Sequence, residues 1–510
     1  MESLKVQLKS KKDQKSTFSN NQVFRSSVLI PHIAGLETSA SFLNHFKIKR
    51  GILNVACKIS AYEHGKRVAE NSFQLTEAKA YIIKFNQMFD RNFENGTMFE
   101  IEFFCSENIG VPYPAVMINH QSQTSFNAVH AFSRFFNDVD EYNSQSNFIV
   151  PETSFETVIS EEKNTFFTVI SGMEPFEENI QVKLKDKAIV GDIAIASVPI
   201  DAKRLTATVV PFDSLMVDAS KINDAPLNIT LPNQTMLYQR MLVGTFSNDG
   251  GMTANHTYYD SSMVKEYFED SSVSSRSYVF IQQLSNKVRM YPCISPGVYP
   301  CLLQINMLTG ESIRIPLGNL HSPGDSFIEA DVDQLILQNE LDRAYVVSFD
   351  FEAHPDGHKA ATRYGHQVIY GSLESPKSLS ASINFILKNK NHYHKTLNAS
   401  RIWGQIFLST SYDTWLGVTN EQFSKGQFDI DISFYSNTGK ISTHNIQSNK
   451  QGVLKISSEE IYELTQINPL KIDNNEMIVW YWVESDKSHL HCLSISKNKK
   501  SGHCTAEHNF

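Results

Sequence analysis

The stretch "GQFDIDISFYSNTGK" (Gly426–Lys440) alternates apolar and polar residues from Phe428 to Phe434 and then breaks at a Thr-Gly pair. Residues two apart share a face on a strand, so the run reads as a half-buried strand entering a tight turn. The same pattern recurs at "GILNVACKISAYEHGK" from Gly51, "NIQVKLKD" from Asn179 and "GVYPCLLQINMLTGE" from Gly297. A glycine near the end of three of these supplies the positive φ that a hairpin turn needs.

Similar neighbours flank each copy. Upstream stand apolar strands, "SVLIPHIAG" from Ser27, "NTFFTVISG" from Asn164, "RSYVFIQQLS" from Arg276 and "SRIWGQIFLS" from Ser400. Downstream comes a short apolar edge ("AYIIKF", "LTATVV", "FIEADVDQL", "VLKISSEEIYEL"), followed by a strong strand ("FEIEFFCSE", "MLVGTFSND", "YVVSFDFE", "MIVWYWVES"). Each set closes on a strand carrying a histidine: His130, His256, His366 and His508. Their separations are 256 − 130 = 126, 366 − 256 = 110 and 508 − 366 = 142 residues.

A unit of that length is too long for a propeller blade of ~40–50 residues. It suits a two-sheet antiparallel sandwich of about seven short strands with frequent turns. The expected fold is therefore all-β, four tandem immunoglobulin-like antiparallel β-sandwich domains, without the Cys–Trp–Cys hallmark of true immunoglobulin domains. The boundaries read as a disordered basic tail at 1–26, sandwiches at 27–135, 161–262, 276–373 and 398–510, and linkers at 136–160, 263–275 and 374–397.

Bulk composition agrees. A chain of 510 residues exceeds a single core, and 41% hydrophobic with 20% charged residues is the balance of a folded protein. A net charge of −9, with one basic run at Lys5–Lys15, argues against nucleic acid as the main partner. No stretch reaches the ~20 apolar residues of a membrane span. The amino terminus lacks the apolar core of a secretory leader, which points to the cytoplasm, with a cell-surface or extracellular setting as the alternative. The six cysteines leave this open. Cys57 and Cys105, Cys293 and Cys301, and Cys492 and Cys504 fall two to a unit, as disulfides would, yet buried thiols on strands read equally well.

The chain carries no nucleophile elbow, phosphate loop, dinucleotide fingerprint or His-Glu-x-x-His. The expected role is a non-catalytic multidomain binding or scaffold protein with a protein or glycan partner and no cofactor. Two alternatives rest on particular residues. All four tryptophans lie in the last unit, and Trp415, Trp480 and Trp482 could form an aromatic platform for carbohydrate. His489, His491, His503, Cys504 and His508 bear the imidazole and thiolate groups preferred by a transition metal, which a metal-dependent enzyme could use. Against these stand plainer readings: the tryptophans as core, the hairpin as a polar tip, and the repeated histidines as packing residues. His354, Asp356 and His358 are explained by a Pro-Asp-Gly turn, and His321, Ser322, Asp325 and Ser326 by a Pro-Gly turn.

Overall fold

A computed structural model describes residues 24–105, 114–135, 151–154, 162–172, 175–185, 192–215, 227–230, 240–259, 267, 273–291, 297–322, 327–357, 359, 365–389, 400–421, 426–472, 476–487 and 489–510. The chain divides into two compact units, one of residues 1–185 and 192–259, the other of residues 186–191 and 260–510. Each holds two antiparallel β-sandwiches.

In the first unit, sandwich 1 comprises β1 (Phe24–Pro31), β2 (Glu37–Leu43), β3 (Val55–Glu63), β4 (Lys66–Gln74), β5 (Ala80–Lys84), β6 (Met98–Cys105), β7 (Met117–Gln121), β8 (Phe126–His130) and β9 (Ser133–Phe135). Its sheets run β4-β3-β6-β1-β9 and β5-β2-β7-β8. Sandwich 2 follows with β10 (Pro151–Ser154), β11 (Lys163–Ile170), β12 (Phe176–Lys185), β13 (Asp192–Ala202), β14 (Ala207–Pro211), β15 (Leu227–Thr230), β16 (Leu242–Ser247), β17 (Met252–His256) and β18 (Tyr258–Tyr259). Its sheets are β13-β12-β15-β10-β18 and β14-β11-β16-β17, the same order displaced by nine strands.

In the second unit, sandwich 3 comprises β19 (Ser274–Val279), β20 (Leu284–Met290), β21 (Gly297–Met307), β22 (Ser312–Ser322), β23 (Ile328–Asp331), β24 (Val346–Ala353), β25 (His366–Ser372), β26 (Ala381–Phe385) and β27 (Lys388–Asn389). Sandwich 4 comprises β28 (Ser400–Ser409), β29 (Tyr412–Asn420), β30 (Asp429–Ser436), β31 (Gly439–Gln447), β32 (Val453–Ser457), β33 (Glu476–Ser485), β34 (Leu490–Asn498) and β35 (Cys504–His508). Both repeat the order, sandwich 4 with eight strands among the described residues.

Two local devices recur. The ladder between the third and fourth strands shifts register once in every sandwich, at Ala61/Tyr62, Val182/Lys183, Cys301/Leu302 and Phe434/Tyr435. Such bulges bend an edge strand and disfavour edge-to-edge aggregation, a hazard for tandem copies. The fifth strand also runs into a helical turn each time. In sandwich 4 this is the helix Ser458–Thr465, started by a capping box of Ser457 and Glu460.

The quoted run Gly426–Lys440 is the third strand of its sandwich, and its counterparts are the third strands of the others. The phase of the repeat differs from the sequence reading in two places. "NTFFTVISG" is the second strand of sandwich 2 and "MLVGTFSND" its seventh; the first and sixth are the four-residue β10 and β15. Strands that short carry too few residues to show alternation. His366 begins the seventh strand of sandwich 3, whose eighth strand ends instead at Phe385. Accordingly β10 lies within residues 136–160, the first residues of β19 within 263–275, and β26 and β27 within 374–397.

Cys57, Cys105, Cys301, Cys492 and Cys504 are free, buried thiols, and Cys293 lies outside the described residues. The expected tail falls almost wholly on residues 1–23, also outside them. No helix among the described residues is long and apolar enough to cross a membrane.

Candidate functional site: the paired eighth strands

The four eighth strands are five residues each: Phe-Asn-Ala-Val-His, Met-Thr-Ala-Asn-His, Ala-Ser-Ile-Asn-Phe and Cys-Thr-Ala-Glu-His. Their last residues are His130, His256, Phe385 and His508, spaced 256 − 130 = 126, 385 − 256 = 129 and 508 − 385 = 123. Phe385 therefore holds the place of a histidine in sandwich 3. His366 lies directly across the ladder from it.

Within each unit the two eighth strands lie side by side and run the same way. In the first, the Met252 amide donates to Ser125 Oγ at 2.8 Å and the Ala254 amide to Asn127 Oδ1 at 2.9 Å. The His130 and His256 rings then meet at right angles, with their Nε2 atoms 3.1 Å apart. His256 Nδ1 lies 2.6 Å from Thr257 O, so Nδ1 carries the proton there and Nε2 accepts from His130. The apolar core of sandwich 1 continues through this seam into Phe166, Leu242 and Met252 of sandwich 2.

In the second unit the Cys504 amide donates to Leu379 O at 2.9 Å, and the Leu379 amide to His503 Nδ1 at 3.0 Å. Phe385 packs on His508 with ring centroids 5.4 Å apart and on His491 edge-on at 5.0 Å. The Arg276 guanidinium lies 4.2 Å over the Phe385 ring. Arg276 Nε is 2.9 Å from Glu421 Oε1, and Lys388 Nζ 2.5 Å from Glu421 Oε2, tying β19 and β27 of sandwich 3 to the end of β29 in sandwich 4. Burial would raise the Glu421 carboxyl, but the two cations hold it below its ordinary range. Trp415, Val453, Leu493 and Ile495 of sandwich 4 belong to the same apolar cluster as the sandwich 3 core.

Five residues suggested a metal centre, and the hairpin bearing them is built into this seam. His503 is bonded to Leu379, and the His491 and His508 ring centroids are 6.2 Å apart. His489 occupies a left-handed turn position at φ 64°. The Cys504 thiol is pushed up to about 12 by burial. Burial, with Arg276, His508 and Lys388 adding to it, holds His491 well below the usual imidazole range, as a neutral ring.

The tryptophans take both faces of their sheets. Val479, Tyr481 and Val483 belong to the core of sandwich 4, so Trp480 and Trp482 point the other way. There Trp482 stacks on Trp403 at 5.1 Å and Trp480 on Phe510 at 6.1 Å. Trp480, Trp482 and Trp415 are 0%, 4% and 6% exposed, so none offers an open ring face. Residues that the sequence did not single out, Ser125, Asn127, Arg276, Phe385 and Glu421, make the seams.

No family model and no curated protein sequence matches the chain. Among solved structures it is similar to a β-glucuronidase of Bacteroides uniformis, at 9% identity and a TM-score of 0.15 over 49% of this chain and 27% of that one. A Bacteroides uniformis β-glucuronidase 2 covalently bound to cyclophellitol-6-carboxylate aziridine matches at 10% identity and 0.15, with the same coverage. The chain thus spans about a quarter of the glucuronidases' length. A tetra-tandem repeat from the extending region of a large adhesion protein matches at 7% identity and 0.11, over 94% of this chain and 98% of that one. Likenesses at these TM-scores carry no argument about function.

Proposed function

We propose that the chain is a non-catalytic scaffold whose sandwiches act as rigid pairs rather than as beads on flexible linkers. The observation that supports it most is the docking of the eighth strands, where backbone amides of one sandwich are capped by side chains or carbonyls of its neighbour. Separating the pair would hand those amides to water, and each such hydrogen bond favours the docked state by a net ~0.5–1.5 kcal/mol. The apolar clusters shared across both seams add to this, at ~25 cal/mol per Å² of surface removed from water. The immunoglobulin-like likeness belongs to the same proposal, supported by two packed antiparallel sheets in each repeat. A protein or glycan partner would meet the loops and outer faces of such a framework.

Hydrogen exchange on the intact chain tests this. Peptides covering 252–256 and 377–381 should be protected as strongly as the central strands β11 and β25. Exchange at those seams in seconds, with β11 and β25 still protected, would show that the sandwiches separate freely.

A further inference from the structure

Between sandwiches 1 and 2 lies a polar cleft of about 200 Å³, away from the paired strands. We propose that it binds a small, neutral, polyhydroxylated ligand of monosaccharide size. Sandwich 1 lines it with Glu63, Glu94 and Thr97, and sandwich 2 with Asp201, Lys203 and Thr208. Its walls are fixed: the Ala207 amide donates to Gly96 O at 3.1 Å, and Arg204 Nε lies 3.5 Å from Gly65 O. Gly96 sits at φ 84°, and a Cβ there would come within 2.6 Å of Ala207 O, so only glycine permits this approach.

The chemistry of the lining selects the ligand. Thr97, at the floor of the cleft, is 1% exposed, and its hydroxyl has no hydrogen-bond partner among the described residues. Asp201, Lys203 and Thr208 likewise make no side-chain hydrogen bond or ion pair there, so the open cleft presents acceptors and donors together. Charge is largely balanced. Arg91 holds Glu63 through Nη2 contacts of 2.9 and 3.1 Å, Lys203 offsets Asp201, and Glu94 leans on His64 at 3.0 Å at the solvent edge. An anion would face the carboxylates and a cation would face Lys203 and Arg91. A neutral ring of hydroxyls can donate to Asp201 and accept from Lys203 and Thr208 at once. The volume is below that of a drug-sized pocket and suits one sugar ring.

Saturation-transfer difference NMR on the full chain with glucose, galactose, mannose and N-acetylglucosamine is the test. At least one sugar should give signals, and its affinity should fall tenfold or more in Asp201→Ala and in Thr208→Val. Neither side chain is buried, and unchanged melting would show that both variants fold. No signal from all four sugars, or a signal that survives both substitutions, overturns the proposal. Either result leaves the docking of the eighth strands untouched, because that rests on separate residues and a separate measurement.

Discussion

The Nε2 atoms of His130 and His256 share a hydrogen bond across 3.1 Å, and the rings stand 87° apart. Two residues 126 positions apart in the chain thus occupy the same place in their sandwiches and meet each other. A double-mutant cycle with His130→Ala and His256→Ala should give a coupling energy of about 1 kcal/mol in equilibrium unfolding. Additive effects would mean the contact contributes nothing to pairing.

Gly417 in β29 lies against Val279, and a Cβ built at Gly417 would overlap that side chain. Gly417→Ala should therefore destabilise the second unit by about 1–3 kcal/mol, as overpacking does. Val279→Ala should recover part of the loss in the double variant, measured by denaturant midpoint. Failure of the rescue would mean that the two strands do not pack as described.

The Glu421 side chain is fully buried between Arg276 and Lys388. Glu421→Gln leaves two cations without a counter-charge, and removing one partner of a buried pair costs about 3–5 kcal/mol. The second unit should unfold at markedly lower denaturant while the first is unchanged. Replacing Arg276 and Glu421 together by Met and Leu should cost less than Glu421→Gln alone.

His120 is 1% exposed, and its Nε2 donates to Pro31 O at 3.0 Å. Burial lowers its pKa from 6.5 to about 4. The unfolded chain therefore binds one more proton than the native chain between those values. Stability present above pH 6.5 is lost as pH falls towards 4, by about 1.4 kcal/mol per pH unit and about 3 kcal/mol in all. In His120→Gln the slope of stability against pH over that window should fall by one proton. An unchanged slope would place the titration elsewhere.

Alternation along Phe428, Ile430, Ile432 and Phe434 made the third strand legible, and with it the sandwich and the fourfold repeat. Strands β10 and β15, four residues each, were too short to carry any period, so the second copy was read out of phase. The histidine of sandwich 3 misled for a different reason. The histidine-bearing strand expected at the end of each set was supplied by His366, whereas the equivalent position had become Phe385. The seams were not legible at all. Asn127 and Ser125 look like ordinary polar strand residues, and pairing between distant copies leaves no periodic trace. The buried face of Trp480 and Trp482 was likewise hidden, because alternation shows which residues share a face but not what covers it.

If the two sandwiches of a unit stand or fall together, tryptophan fluorescence can isolate the coupling. All four tryptophans lie in sandwich 4, and Trp403, Trp480 and Trp482 stand outside the apolar cluster shared with sandwich 3, so in a Trp415→Phe background emission reports sandwich 4. Leu303→Ala in β21 opens a cavity in the core of sandwich 3, at a cost of about 2–5 kcal/mol. If docking couples the pair, the tryptophan-detected unfolding midpoint in urea falls together with the loss of sandwich 3. A midpoint equal to that of the chain without Leu303→Ala, while hydrogen exchange shows sandwich 3 open, would contradict it.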